Sequence, residues 1–253
     1  MTTHVSDNII EARGLTKRFY GFTAVDGVDL DVKRHSIHAL IGPNGAGKTT
    51  CFNLITKVLQ PSDGAIRFNG VDITAESPAR VARRGIVRSF QISAIFPRMT
   101  VAENVRIALQ RPVGTSFHFW RPERSLKVLD ERVDELLETV GLLSLRDRSA
   151  ADLPYGRKRV LEFATTLALE PELLLLDEPT SGLGSEDVER IADLIRSVSK
   201  GRTILMVEHN LSVVSRLADR ITVLARGKIL AEGPYSEVST DSRVVEAYIG
   251  GEE

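Results

Sequence analysis

Residues 42–50 read GPNGAGKTT, which has the types and spacing needed to hold phosphate. The pattern is G-x-x-x-x-G-K-[ST], entered from the apolar run IHALI and left through a helix-forming stretch. Gly42, Gly45 and Gly47 allow backbone N–H groups to turn inward around phosphate oxygens. Pro43, Asn44 and Ala46 complete the loop, and the helix start after Gly47 favours an anion. Lys48 would reach the β- and γ-phosphates of a nucleotide. The Thr49 hydroxyl would ligate Mg²⁺, with Thr50 beside it at the same helix start. A glycine-rich turn with an incidental lysine would leave the two following threonines unexplained.

A second chemical constellation is LLLLDEPT at 173–180, where Asp177 and Glu178 end a run of four leucines. Ligands of open α/β sheets bind at the carboxyl edge of the strands, so this strand end can face the phosphate loop. Asp177 would then hold Mg²⁺ through water, and Glu178 would orient or deprotonate an attacking water. The alternative role for such a pair is helix capping or loop solvation.

A third stretch, LPYGRKRVLEFATTLAL from Leu153, poses an electrostatic question. Pro154 and Gly156 suggest a turn, and the apolar spacing after Arg157 predicts a helix. Arg157, Lys158 and Arg159 would crowd the first turn of that helix, where cations are disfavoured by about 0.3–1 kcal/mol each. Either the side chains splay into water or an anion docks there.

The elements that must carry these residues alternate along the chain. IIEARGL, VDLDV and IHALI predict strands, AIRFNGVDI a hairpin through Asn69-Gly70, and GIVRSFQ a strand entering a loop. The phosphate-loop helix is expected from Gly47 to about Leu59. TVAENVRIAL and ERSLKVLDERVDELLETVGL read as amphipathic helices separated by the aromatic segment RPVGTSFHFWRP. ELLLLDEP and TILMVEH read as buried strands, SEDVERIADLIRSV and NLSVVSRLAD as helices, and ITVLARGKIL as a hairpin through Arg226-Gly227. This alternation is that of a mostly parallel α/β sheet with a helical insert.

Composition bounds the rest. The chain has 253 residues, 42% hydrophobic and 26% charged, with a net charge of −1. That suits one large domain, or a domain with an insert, and gives no general electrostatic case for nucleic acid. Cys51 is the single cysteine, so an intrachain disulfide is excluded and a reducing compartment is expected. No apolar run approaches the roughly 18–20 residues of a membrane span. The start MTTHVSDNIIEARG has no basic and apolar leader pattern, so the expected location is the cytosol. His4, His35 and His38 show no metal-ligand spacing.

Taken in order, GPNGAGKTT, RSFQ, LPYGR, LLLLDEPT and MVEHN resemble the motifs of ATP-binding-cassette (ABC) ATPases over nearly the whole chain. LTKRFYGFTAVDGVDL, RSFQISAIFPRMTVAENV, LPYGRKRVLEFA and RVVEAYIGG further resemble the ATP-binding subunits of branched-chain amino acid importers. The resemblance implies a P-loop NTPase fold of the α/β class. It has a mostly parallel central sheet, an N-terminal antiparallel β subdomain and an inserted α-helical subdomain. The whole chain, 1–253, would be a single cassette, its RecA-like core at about 1–91 and 158–253 and its helical subdomain at about 92–157. ATP and Mg²⁺ are the implied cofactors. The implied partners are a second ATPase subunit, identical or paralogous, two membrane permease subunits and, indirectly, a solute-binding protein. No nucleic acid is implied, and the place is the inner face of the plasma membrane.

The resemblance also assigns roles. Gln91 would contact Mg²⁺ or the lytic water at the hinge to the insert, and His209 would contact the γ-phosphate and steady the water. Phe19, rather than Tyr20, would stack on adenine. Leu153, Pro154, Tyr155, Gly156 and Arg157 stand in the signature position, which faces the ATP held by the partner; that γ-phosphate is the anion sought above. The usual signature is L-S-G-G-Q, so here Pro154 replaces serine, Tyr155 the first glycine and Arg157 the glutamine. Arg157 is expected to supply the charge interaction lost with the serine. Gly184 stands where many cassettes carry aspartate. His118, Phe119 and Trp120 would either dock on a membrane subunit or pack between insert helices. Alternative readings are the ATPase of a lipid or lipopolysaccharide exporter, a soluble cassette acting on ribosomes or DNA, and an ATP-gated module without turnover.

Overall fold

The computed structural model describes residues 7–89, 95–110 and 129–249. The chain opens with β1 (Asn8–Phe19), β2 (Phe22–Lys33), β3 (Ile37–Ile41), α1 (Lys48–Ile55), β4 (Asp63–Phe68), β5 (Val71–Asp72), α2 (Pro78–Arg83) and β6 (Ile86–Ser89). Among the described residues the α-helices α3 (Val101–Leu109), α4 (Asp130–Thr139) and α5 (Tyr155–Leu167) follow. Then come β7 (Leu173–Asp177), α6 (Ser185–Val198), β8 (Thr203–Val207), α7 (Leu211–Leu217), β9 (Arg220–Ala225), β10 (Lys228–Gly233), α8 (Tyr235–Val238) and α9 (Ser242–Ile249). Two compact units result. One comprises Met1–Arg88, Glu172–Thr180 and Ile195–Glu253, the other Ser89–Pro171 and Ser181–Leu194.

The first unit contains two sheets. The antiparallel sheet has the order β2-β1-β4-β5. The other has the order β10-β9-β3-β8-β7-β6, with β3 parallel to β8 and β9, and β7 parallel to β8. IHALI, LLLLD and TILMV are buried at every position, as strands covered on both faces must be. The pairings Leu40↔Val207 and Asp177↔Val207 put the ends of β3, β7 and β8 side by side. The phosphate loop, Glu178 and His209 therefore leave from one edge of the sheet.

The N-terminal hairpin is longer than the alternation in its sequence suggests. Gly14 and Gly27 have φ of +58° and +63°, and the β1–β2 register shifts on both sides of Leu15. Such bulges break the two-residue period without ending the strand. Conversely, α1 stops at Ile55 rather than Leu59, because Lys57 turns left-handed with φ +61°.

One buried titratable group lies in the centre of the larger sheet. His38 on β3 is fully buried; its Nε2 shares a hydrogen bond with Thr222 Oγ1 at 2.8 Å, and Nδ1 has no partner among the described residues. Burial, with help from Arg220, pushes its pKa down from 6.5 to about 3. The unfolded chain thus takes up this proton near pH 6.5, whereas the folded chain resists it down to about pH 3. The stabilising contribution is full above pH 6.5 and is lost as pH falls through that window. Denaturant unfolding should show about 1 kcal/mol less stability from this group at pH 5.5 than at pH 7.5. His38→Gln should remove that increment.

In the second unit, α3, α4 and α5 pack on one another. The sequence Thr100-Val-Ala-Glu103 forms a reciprocal capping box at the start of α3: Glu103 N–H donates to Thr100 Oγ1 and Thr100 N–H donates to Glu103 Oε2. Helix α5 begins at Tyr155, not after Arg157, with Pro154 as its N-cap. A proline costs nothing where a helix has no use for the N–H, so Gly156 belongs to the first turn instead of to a preceding loop.

Candidate functional site

The phosphate loop is held open by close backbone packing. Gly42 has φ +145°, and a Cβ there would lie 2.0 Å from the Leu224 carbonyl oxygen. At Gly47, φ is +104° and a Cβ would lie 2.5 Å from the Ala24 carbonyl oxygen. Gly45 adopts φ +76° in open space, and Asn44 beside it is exposed. Ala46 is buried, and its carbonyl accepts from Gly227 N–H at 3.0 Å, which pins the loop to the β9–β10 turn.

Lys48 is only 6% exposed, and its Nζ donates to the carbonyls of Gly42 at 2.6 Å and Pro43 at 2.9 Å. Burial lowers its pKa, and the charges of Glu178 and Asp177 oppose that shift. The ammonium therefore crosses the mouth of its own loop, where phosphate oxygens would compete with the two carbonyls. Thr49 is exposed and Thr50 half-buried.

Asp177 closes β7 and is 4% exposed. Its Oδ2 accepts from Arg88, whose other terminal nitrogen donates to Asn53 Oδ1 at 2.6 Å. Glu178, the next residue, has φ +48°. For a non-glycine residue that backbone costs about 1–3 kcal/mol, and strain of this kind gathers at active sites. Glu178 N–H donates to Val207 O at 2.9 Å, and its Oε1 lies 2.6 Å from His209 Nε2. A carboxylate, an imidazole and a buried ammonium thus converge at the edge from which the phosphate loop departs.

Three further residues of this site stand inside MVEHN, RSFQ and LTKRFYGFTAVDGVDL, but no role was read for them there. Glu208 is 3% exposed; it accepts from the N–H groups of Thr180, His209 and Asn210 at 3.0, 2.8 and 3.0 Å, and also from the Thr180 hydroxyl. The only sequence signal was an acid at the end of an apolar strand. Arg88, inside GIVRS, was a cation in an otherwise apolar strand. Phe22 pairs across the hairpin with Phe19. Phe19, Tyr20 and Phe22 are all exposed at the hairpin tip, Tyr20 with φ +33°, and Lys17 Nζ sits 5.2 Å from the Phe19 ring centre.

The signature residues lie in the second unit. Leu153 is buried, Pro154 and Tyr155 are exposed, and Gly156 is buried in the first turn of α5. A Cβ on Gly156 would lie 2.2 Å from Asp187 Oδ2. Arg157 turns back to donate to Gly141 O at 3.2 Å, and Arg159 pairs with Glu162 at 2.8 Å in a buried i,i+3 contact. Two of the three cations therefore have partners within their own unit, and Lys158 is half-buried. Gln91, His4, His118, Phe119 and Trp120 fall outside the described residues.

The residues present suit Mg²⁺ as a companion of nucleotide. Among the described residues no group of three or more His, Cys, Asp or Glu side chains could hold a metal. The Thr49 hydroxyl and Asp177 Oδ1 make no hydrogen bond among those residues, and Mg²⁺ characteristically takes one or two protein oxygens and completes its shell with phosphate and water.

Comparison with known proteins agrees with this geometry. Residues 25–181 match the family described as ABC transporter, and residues 228–253 match the branched-chain amino acid ATP-binding cassette transporter family. The chain is 38% identical to the high-affinity branched-chain amino acid transport ATP-binding protein BraF of Pseudomonas aeruginosa, across 97% of this chain and 99% of that one. It is 35% identical to LivG of Escherichia coli K12, a protein of the same description, over the same shares. The crystal structure of the ADP conformation of an ATP-binding cassette of an ABC transporter superposes with a TM-score of 0.84. That structure is 32% identical, over 97% of this chain and all of the other. No helix of the described residues is long and apolar enough to cross a membrane. The chain is thus an ATP-hydrolysing cassette and belongs to the ABC transporter family.

Proposed function

We propose that this chain powers the import of branched-chain or related amino acids, as the Mg²⁺-dependent ATPase subunit of a transporter whose permeases lie in the membrane. It would work from the inner face of that membrane, paired with a second cassette, identical or paralogous, and would never touch the solute. The observation that carries the ATPase part is the Glu178–His209 contact of 2.6 Å beside the buried Lys48. The amino acid part rests on full-length similarity to BraF and LivG, including the C-terminal segment 228–253.

On this reading the RecA-like core spans about 1–91 and 158–253 and the helical subdomain about 92–157; the second compact unit is wider, taking in the whole of α5 and Ser181–Leu194. The glycine loop, 42–47, and Lys48 bind the β- and γ-phosphates, Thr50 lies at the same helix start, and Phe19 stacks on adenine with Phe22 beside it. Thr49 and Asp177, with Gln91, would hold Mg²⁺, which when bound neutralises charge on the phosphate oxygens. Glu178 accepts the proton of the attacking water, and His209 fixes the Glu178 carboxylate and faces the γ-phosphate. Residues 153–157 present the amide end of α5 to the nucleotide of the partner cassette. Closure follows because ATP makes both sets of contacts only when the pair is shut. Arg157 already donates to the Gly141 carbonyl, so its proposed contact across the pair requires it to leave that bond.

The test is reconstitution. The tagged chain should co-purify from membranes with a permease, and vesicles carrying the complex should take up labelled leucine when supplied with solute-binding protein and ATP. Recovery with a lipid-exporting membrane protein, or from membranes with no permease at all, would overturn the import reading.

A further inference from the structure

Arg88 has no role in the scheme above, yet it is built into the site. It stands on β6, next to β7 in the sheet, and its side chain is 14% exposed. One terminal nitrogen donates to Asn53 Oδ1 at 2.6 Å and the other to Asp177 Oδ2. Its guanidinium carbon lies 5.8 Å from the centre of the buried Phe52 ring. Among the described residues, the buried Nε has no partner. Phe52 and Asn53 both belong to α1, the helix that continues the phosphate loop. The guanidinium thus ties that helix to the end of β7, and two of its three contacts do not involve Asp177.

We propose that Arg88 is a positioning residue for the metal-holding carboxylate: by engaging Oδ2 from a fixed anchor, it leaves Oδ1 of Asp177 as the oxygen turned toward Mg²⁺. The proposal rests on the reading of Asp177 as a metal-holding group. The anchor decides between a clamp and a placeholder. A placeholder cation would have to leave when Mg²⁺ arrived, but Asn53 and the Phe52 ring hold this guanidinium whether or not Asp177 is engaged. Outer-sphere hydrogen bonds of this kind orient a ligand and typically change metal affinity 10- to 100-fold. Arg88 also keeps the carboxylate from swinging toward Lys48, whose ammonium must stay available to phosphate. Lysine would not substitute fully, since its ammonium donates from a single nitrogen, whereas the planar fork of arginine offers separate nitrogens to Asn53 and to Asp177.

The test uses the full chain with a non-hydrolysable ATP analogue. Mn²⁺ affinity of that complex is read from the EPR signal of free Mn²⁺, and analogue affinity in EDTA is read separately. Arg88→Gln is expected to weaken Mn²⁺ binding about tenfold or more and to leave metal-free analogue binding within about twofold. Arg88→Lys keeps the buried charge and should fall between Arg88→Gln and wild type; it carries the test alone if Arg88→Gln does not fold. Unchanged Mn²⁺ affinity would overturn the positioning role, and so would tighter binding, the mark of a placeholder. Asp177→Asn separates the two levels. If it weakens Mn²⁺ binding and the Arg88 variants do not, only the positioning role falls. If neither does, the metal assignment of Asp177 falls and takes the proposal with it.

Discussion

Glu178→Gln should bind ATP about as tightly as the wild type and release almost no phosphate. Glutamine has the same shape and the same cost at φ +48°, so the strained backbone and the bond from Glu178 N–H to Val207 O survive. The amide can still hydrogen-bond with His209 across the 2.6 Å contact. What it cannot do is accept a proton from water. Removing a positioned general base costs about 10²–10⁴-fold in rate. In the proposed cycle closure needs bound ATP and opening needs its hydrolysis, so the same variant should accumulate as an ATP-bound dimer. Phosphate release, equilibrium ATP binding and size-exclusion chromatography with Mg·ATP read the three effects separately. Turnover at the wild-type rate would remove Glu178 from the base role. Lost ATP binding would mean that the substitution had damaged the loop rather than the chemistry.

Lys48→Met should fail one step earlier. The ammonium now donates to the carbonyls of Gly42 and Pro43. With nucleotide bound it would exchange these neutral acceptors for phosphate oxygens, and hydrogen bonds to charged groups contribute about 1.5–3 kcal/mol each. Losing one or two of them predicts a drop of roughly 10²-fold or more in ATP affinity. The nucleotide-free chain should respond in the opposite sense. Lys48 is buried, and burial disfavours its charged form, whereas methionine fills the same channel without a charge. The melting temperature without nucleotide is therefore expected to hold or rise while the stabilisation by Mg·ATP disappears. A variant with normal ATP affinity would contradict the phosphate-loop assignment. Function here depends on keeping a group that the empty fold would do better without.

What could be read in the sequence was whatever depends on local pattern. GPNGAGKTT, LLLLD and TILMV declare their structure because loop chemistry and complete burial leave marks within a few residues. SEDVERIADLIRSV coincides with α6, and Arg226-Gly227 does turn β9 into β10. What escaped depends on distant partners. The register shifts around Leu15 are visible only against β2, so the N-terminal hairpin read as short fragments. The start of α5 was placed late because Gly156 reads as a turn residue, although the first turn of a helix tolerates it. Arg88 and Glu208 stand inside RSFQ and MVEHN, but those motifs assign neither of them a contact. Each is defined by groups 28–89 residues away, on Asp177 and Thr180 respectively, and a single sequence gives no hint of such pairings.

Glu208 joins the two loops that carry Glu178 and His209: one carboxylate grips Thr180 beyond Glu178, and His209 and Asn210 on the other side. Neither loop can drift without dragging its neighbour, so the proposed base and the imidazole travel as a single preset tool. Control of turnover then has little purchase on the spacing of that pair. It has to act on what reaches it, by admitting or withholding the nucleotide's terminal phosphate and one water molecule.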